Sequence, residues 1–120
     1  MYKIMLYEDA RGNCPMEDFM YELNKKASAD KKARTLLKKV MYTVDLLKQN
    51  GTRSGEKFTK QIEGKLWEMR PDSHRVFFFV WNGNHIILLH TFRKEGRKTP
   101  VQEIKKAKHE MDDWMKRHGY

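Results

Sequence analysis

The chain has 120 residues, and its 25 Lys and Arg outnumber 16 Asp and Glu to leave a net charge of +9. That length allows one domain with a modest core, and 39% hydrophobic residues favour a folded chain over a disordered one. No run approaches the roughly 18 apolar residues of a membrane span, the start Met1-Tyr2-Lys3-Ile4 has no leader pattern, and the lone Cys14 excludes an internal disulfide framework.

A cytoplasmic address is therefore expected, and no Cys/His spacing points to a zinc site. The cationic excess, with a pI near 9.7, makes a field that attracts polyanions. Nucleic acid, a ribosome or an acidic protein surface would each answer it.

Taken in chain order, Tyr2 to Tyr7 reads as an opening strand and Glu8 to Asn13 as a turn. A helix follows, with Cys14 at the capping position and Pro15 in its first turn. Met16, Phe19, Met20 and Leu23 share its buried face. A second helix is expected from near Ser28, striped by Ala33, Leu36, Leu37, Val40, Met41, Val44 and Leu47 and stopped by Asn50-Gly51. The two helices form a helical hairpin.

Beyond Gly51 the pattern turns to strands at Phe58–Ile62, Leu66–Arg70, Arg75–Trp81 and His85–Arg93. Pro71–Ser73 makes one turn, and Asn82-Gly83 marks a tight hairpin. The unbroken apolar run Val76–Trp81 suits a central strand covered on both faces. Thr99-Pro100-Val101-Gln102 reads as a capping box opening a last helix, with Ile104, Ala107, Met111, Trp114 and Met115 on one face. The expected fold class is α+β: a small antiparallel sheet, an N-terminal helical hairpin on one face and a C-terminal helix. It forms a single domain over residues 1–120.

Strand alternation places Glu68 and Arg70 on one face and Trp67 and Met69 on the other, toward the helices. Arg70 ends one strand and Arg75 begins the next, so their guanidinium groups can converge at the sheet edge, where little of the core depends on Arg75. Lys94, Arg97 and Lys98 follow the neighbouring strand. Cations clustered near aromatics suit phosphate binding and base stacking. Glu68 and Arg70 are equally well explained as a cross-strand ion pair. His90 reads as a near-core residue, whereas His74, beside Arg75, is better placed to give or take a proton.

The stretch GKLWEMRPDSHRVFFFVWNGNHIILLHTFRKEGRKTPVQEIKKAKHEMDD resembles the phage-derived branch of the RelE/HigB toxin superfamily. The likeness lies in its aliphatic-Trp-Glu-aliphatic-Arg motif, the strand-leading arginine, the strand ending in Phe and Lys, and the Thr-Pro before the last helix. The opening strand, Pro15 and the helical hairpin extend it over nearly the whole chain. The resemblance implies a RelE-like fold and an endoribonuclease that cleaves messenger RNA, usually on a translating ribosome, without metal or cofactor.

The implied reaction is attack of a ribose 2′-hydroxyl on the adjacent phosphate, which needs a base, cations on the phosphate and a proton for the leaving oxygen. Arg75, Arg70 and Lys94 match catalytic positions, and Glu68 is either the base or the ion-pair partner that orients Arg70. Lys57, Lys60, His74, Arg93, Arg97 and Lys98 are expected to contact RNA or the ribosome. The resemblance also implies an antitoxin partner with a helix-turn-helix DNA-binding domain, through which alone the chain would meet DNA. A ParE-like gyrase poison of the same fold and a non-enzymatic, phage-derived binding module are the alternatives.

Overall fold

A computed structural model describes residues 1–120. Strand β1 (Lys3–Leu6) leads into helices α1 (Pro15–Ala27) and α2 (Lys31–Asn50), then a short 3-10 turn at Gly51–Arg53. Strands β2 (Thr59–Glu63), β3 (Leu66–Met69), β4 (His74–Trp81) and β5 (His85–Arg93) follow, and α3 (Val101–His118) closes the chain. The five strands form one sheet in the order β1-β5-β4-β3-β2.

From β2 to β5 the sheet is antiparallel, as expected, but β1 joins β5 in parallel. Hairpin signals report only antiparallel neighbours, so this long-range pairing left no local mark on the sequence. Its register is held by Lys3 N–H donating to Asn84 and Tyr7 N–H donating to Leu88.

Helices cover both faces of the sheet. Against α1 and α2 pack Met69, Val76, Phe78, Ile86 and Leu88, with Trp67 half-buried beside them. Against α3 pack Leu66, Phe77, Phe79, Ile87 and Leu89. The central strand β4 is thus buried on both sides from Val76 to Phe79, which is why its sequence shows no polar alternation.

Two helix expectations need correction. Helix α2 starts at Lys31, because the Asp30 carboxylate accepts the Lys32 N–H and caps it, while the Ser28 hydroxyl donates back to Lys25. Met41 is exposed, and Thr43 takes the buried place instead, its hydroxyl satisfied by the Lys39 carbonyl at 2.7 Å. At the end of α2, Gly51 has a φ of +57°, and a Cβ there would lie 2.6 Å from the Tyr2 ring. Glycine is required on both counts.

Helix α3 is pinned to the sheet by a buried polar group. His90 on β5 is buried, with Nδ1 2.5 Å from Glu110 Oε1 and Nε2 2.9 Å from Glu103 Oε1. Farther along, the Tyr7 hydroxyl donates to Asp113 at 2.7 Å, and the Trp81 indole N–H donates to the Gly119 carbonyl at 2.8 Å. His90→Leu would strand the buried Glu110 carboxylate, so we predict a stability loss of about 3 kcal/mol. Urea unfolding followed by tryptophan fluorescence measures it, and an unchanged midpoint would show that the pin carries no weight.

Candidate functional site

The end of the sheet where β3 passes into β4 gathers the chain's most constrained charges. Alternation along β3 turns Leu66 and Glu68 toward α3, and register places Glu68 between Lys60 on β2 and Phe77 on β4. Glu68 is fully buried. Arg70 Nε lies 3.2 Å and Arg75 Nε 3.5 Å from its Oε2, while the Thr99 hydroxyl donates to Oε1 at 3.2 Å. The expected capping box at Thr99 therefore does not form. The hydroxyl serves the buried carboxylate, and α3 begins after Pro100 with no side-chain cap.

The two Nε–Oε2 approaches lack hydrogen-bond geometry, so all three atoms are buried without a hydrogen-bond partner. Each arginine is tethered at Nη1 instead. Arg70 donates to the Glu56 carbonyl at 2.9 Å; Arg75 donates to the carbonyls of Asp72 at 2.8 Å and His74 at 2.9 Å. Both side chains are held by fixed backbone groups and a fixed charge, which limits how each guanidinium fork can turn.

Arg75 is less free than its place at the start of a strand implied. Its side chain is only 14% exposed, and it belongs to the ion cluster around Glu68. Burial lowers its pKa, which the Glu68 charge opposes and Arg70 reinforces. Lys94, half-buried after β5, feels the same surroundings: burial pushes its ammonium pKa down, Glu68 raises it, and Arg75, Arg70 and Lys60 lower it. Arg70, Arg75 and Lys94 thus share one carboxylate, and the surplus positive charge suits an anion.

Arg70 and Arg75 open onto a groove of about 660 Å³ between the end of the sheet and α2. Its other walls include Lys57, Phe58, Lys39 and Tyr42. Lys39 is paired with Asp72 at 3.1 Å, and the Lys57 ammonium sits 5.6 Å from the centre of the Phe58 ring. Sequence reasoning missed Tyr42, Phe58 and Lys39. The available signal was that Tyr42 falls outside the apolar stripe of α2, where a solvated aromatic adds little to folding.

The remaining predicted residues do not all join this cluster. His74 faces the helical hairpin, its ring 5.6 Å from that of Phe19, and burial lowers its pKa. Together with Arg93, Lys26 and Lys31 it lines a separate cleft of about 760 Å³. The reason is alternation: His74 and Arg93 are register partners one step away from Arg75 and Phe92. Lys57 is exposed at the groove and Lys60 is exposed on β2 opposite Glu68, while Arg97 and Lys98 lie exposed in the loop before α3.

The family model described as phage-derived protein Gp49-like matches residues 27–112. Among solved structures, the YoeB-YefM complex from Staphylococcus aureus contains a similar chain, with a TM-score of 0.50 and 16% identity. The match covers 80% of this chain and 99% of that one. A second structure, the heterotetrameric complex of YoeB-YefM toxin-antitoxin from the same organism, matches with a TM-score of 0.49 and 18% identity over 81% of this chain and 99% of that one. No curated protein matches. At this identity the first likeness shows a shared fold, the RelE-like α+β architecture expected from the sequence.

Glu68→Gln keeps the shape of the buried side chain but removes the charge beneath two guanidinium groups. We predict a loss of about 3 kcal/mol in stability. Chemical denaturation checks this, and a variant as stable as the parent would show that the arginines do not lean on the carboxylate.

Proposed function

The chain belongs to the phage-derived Gp49-like family, and on that premise we propose that it is the toxin of a type II toxin–antitoxin system, an endoribonuclease of the HigB-like branch of the RelE superfamily. It acts as a single domain, cleaves messenger RNA on the ribosome in the cytoplasm, and so stops translation. The observation that carries this reading is the pair of arginines clamped on buried Glu68 and opening onto a basic groove edged with aromatic rings.

That arrangement meets the needs of 2′-hydroxyl attack on a phosphodiester. The charge that builds on the phosphate oxygens is met by Arg75 and Arg70, whose geometry is fixed before substrate arrives. Preorganised cations of this kind cost no reorganisation during the reaction. Lys94, with its lowered pKa, is suited to move a proton at the 2′-hydroxyl or the departing 5′-oxygen. Glu68, fully buried, orients the two arginines and does not meet the substrate. Lys57, Lys60, Arg97 and Lys98 attract the RNA backbone, and His74 and Arg93 offer a contact in the separate cleft against the α1–α2 hairpin for ribosomal RNA.

The partner in this reading is a cognate antitoxin that covers the basic groove and carries its own helix-turn-helix domain, so that the chain meets DNA only through that complex. A chain of similar fold has been solved in the YoeB-YefM complex from Staphylococcus aureus, which supports a partnership with a second protein.

Induction of the chain without its partner should halt amino-acid incorporation within minutes. Arg75→Ala should weaken cleavage a hundredfold or more, about 3 kcal/mol of transition-state stabilisation. Because Arg75 also compensates Glu68, the same change should cost about 1–2 kcal/mol of stability, so folding must be verified by circular dichroism. A folded Arg75→Ala protein that remains fully toxic would place the chemistry elsewhere. Continued translation accompanied by DNA-damage signals would replace the nuclease reading with a gyrase poison.

A further inference from the structure

The groove beside the arginines holds two aromatic rings that phosphate binding leaves unused. Tyr42 on α2 is 58% exposed. It sits across from Phe58, the residue before β2, with ring centres 5.9 Å apart and planes inclined at 58°. Phe58 is half-buried and fixed by its backbone, its N–H donating to the Gly55 carbonyl at 2.9 Å. The rings therefore form an open, tilted pair with one rigid member and one solvated member.

Their neighbours decide what such a pair can hold. Lys57 lies over the Phe58 ring, and Arg70 and Arg75 line the same groove. Aromatic faces interleaved with cations that follow a backbone are the physical pattern of single-stranded nucleic-acid recognition. Every base has a π-face to stack, while the adjacent phosphate needs a positive charge. A base within a duplex already has its faces stacked on its neighbours, whereas an unpaired base has a face free to stack on a ring.

We propose that Tyr42 and Phe58 form a nucleobase-stacking subsite beside the phosphate position at Arg70 and Arg75. This rests on the endoribonuclease reading and deepens it. The substrate is then an unpaired RNA segment whose base, next to the reacting phosphate, is held against the Tyr42 ring. Stacking fixes the sugar relative to the arginines and favours large bases over small ones without reading their edges. Tyr42 thus acts as a positioning and preference-setting residue.

The test uses the full chain and a single-stranded 2′-O-methyl oligonucleotide, which cannot undergo 2′-hydroxyl attack, carrying the fluorescent base 2-aminopurine. The parent should quench the fluorophore and bind, whereas a duplex of the same sequence should not be quenched. Tyr42→Ala should abolish quenching and raise Kd about tenfold or more, while Tyr42→Phe should preserve both. Tyr42 is exposed, so both variants should fold as the parent does, and thermal melting verifies it.

If the parent cleaves RNA and binds the oligonucleotide but Tyr42→Ala quenches and binds equally well, the stacking proposal is overturned and the nuclease reading stands. If the parent does not bind or quench the single-stranded oligonucleotide, the stacking proposal is overturned, while cleavage of messages in cells expressing the same chain decides the nuclease reading separately. A glutamate-rich peptide that outcompetes the oligonucleotide and depends on Tyr42 would assign the rings to a protein partner and overturn the proposal as well.

Discussion

Glu68 places a carboxylate inside a packed sheet face with none of its surface in water. An uncompensated charge there would cost several kcal/mol, so the surrounding chain has to supply donors or cations. It does so from three separate segments: Arg70 at the end of β3, Arg75 at the start of β4 and Thr99 ahead of α3. The loop before α3 is drawn in at the expense of a helix cap. The two arginines are drawn in by their Nε atoms and line the groove. A buried ion cluster of this kind adds little net stability, but it fixes the direction of each guanidinium group.

The rest of the fold keeps that cluster in place. The hairpin α1–α2 and the helix α3 cover opposite faces of one sheet, so β4 is rigid along its buried centre. His90, held between Glu103 and Glu110, keeps α3 seated next to Phe77 and the loop that carries Thr99. The charged residues stand at the end of this scaffold, where strands stop and side chains can reach solvent. Groups held on strand ends move less than groups held on free loops, which is what preorganised phosphate recognition requires.

Much of this was legible in the sequence because it depends on local periodicity. The bounds of β5, the proline-led start of α1 and the buried face of α3 all follow from residue spacing. The convergence of Arg70 and Arg75 followed from alternation across a short turn. What sequence reasoning could not reach depends on distant partners. The parallel pairing of β1 has no turn to announce it. Thr99 looked like a cap because its competitor, Glu68, lies 31 residues away. His74 looked adjacent to Arg75 in the chain, yet the pleat turns it to the other face. Tyr42 showed only that it lies outside the apolar stripe of α2; the fold alone sets it beside Phe58.

The central claim is that the clamped arginines serve RNA cleavage by 2′-hydroxyl attack. Mapping RNA ends after brief induction in cells tests it most directly, because that chemistry leaves a 5′-hydroxyl on one fragment and a cyclic phosphate on the other. The account predicts new 5′-hydroxyl ends within coding sequences, absent when Arg75 is replaced by alanine. Intact messages alongside arrested growth, or new ends carrying 5′-phosphate, would contradict it.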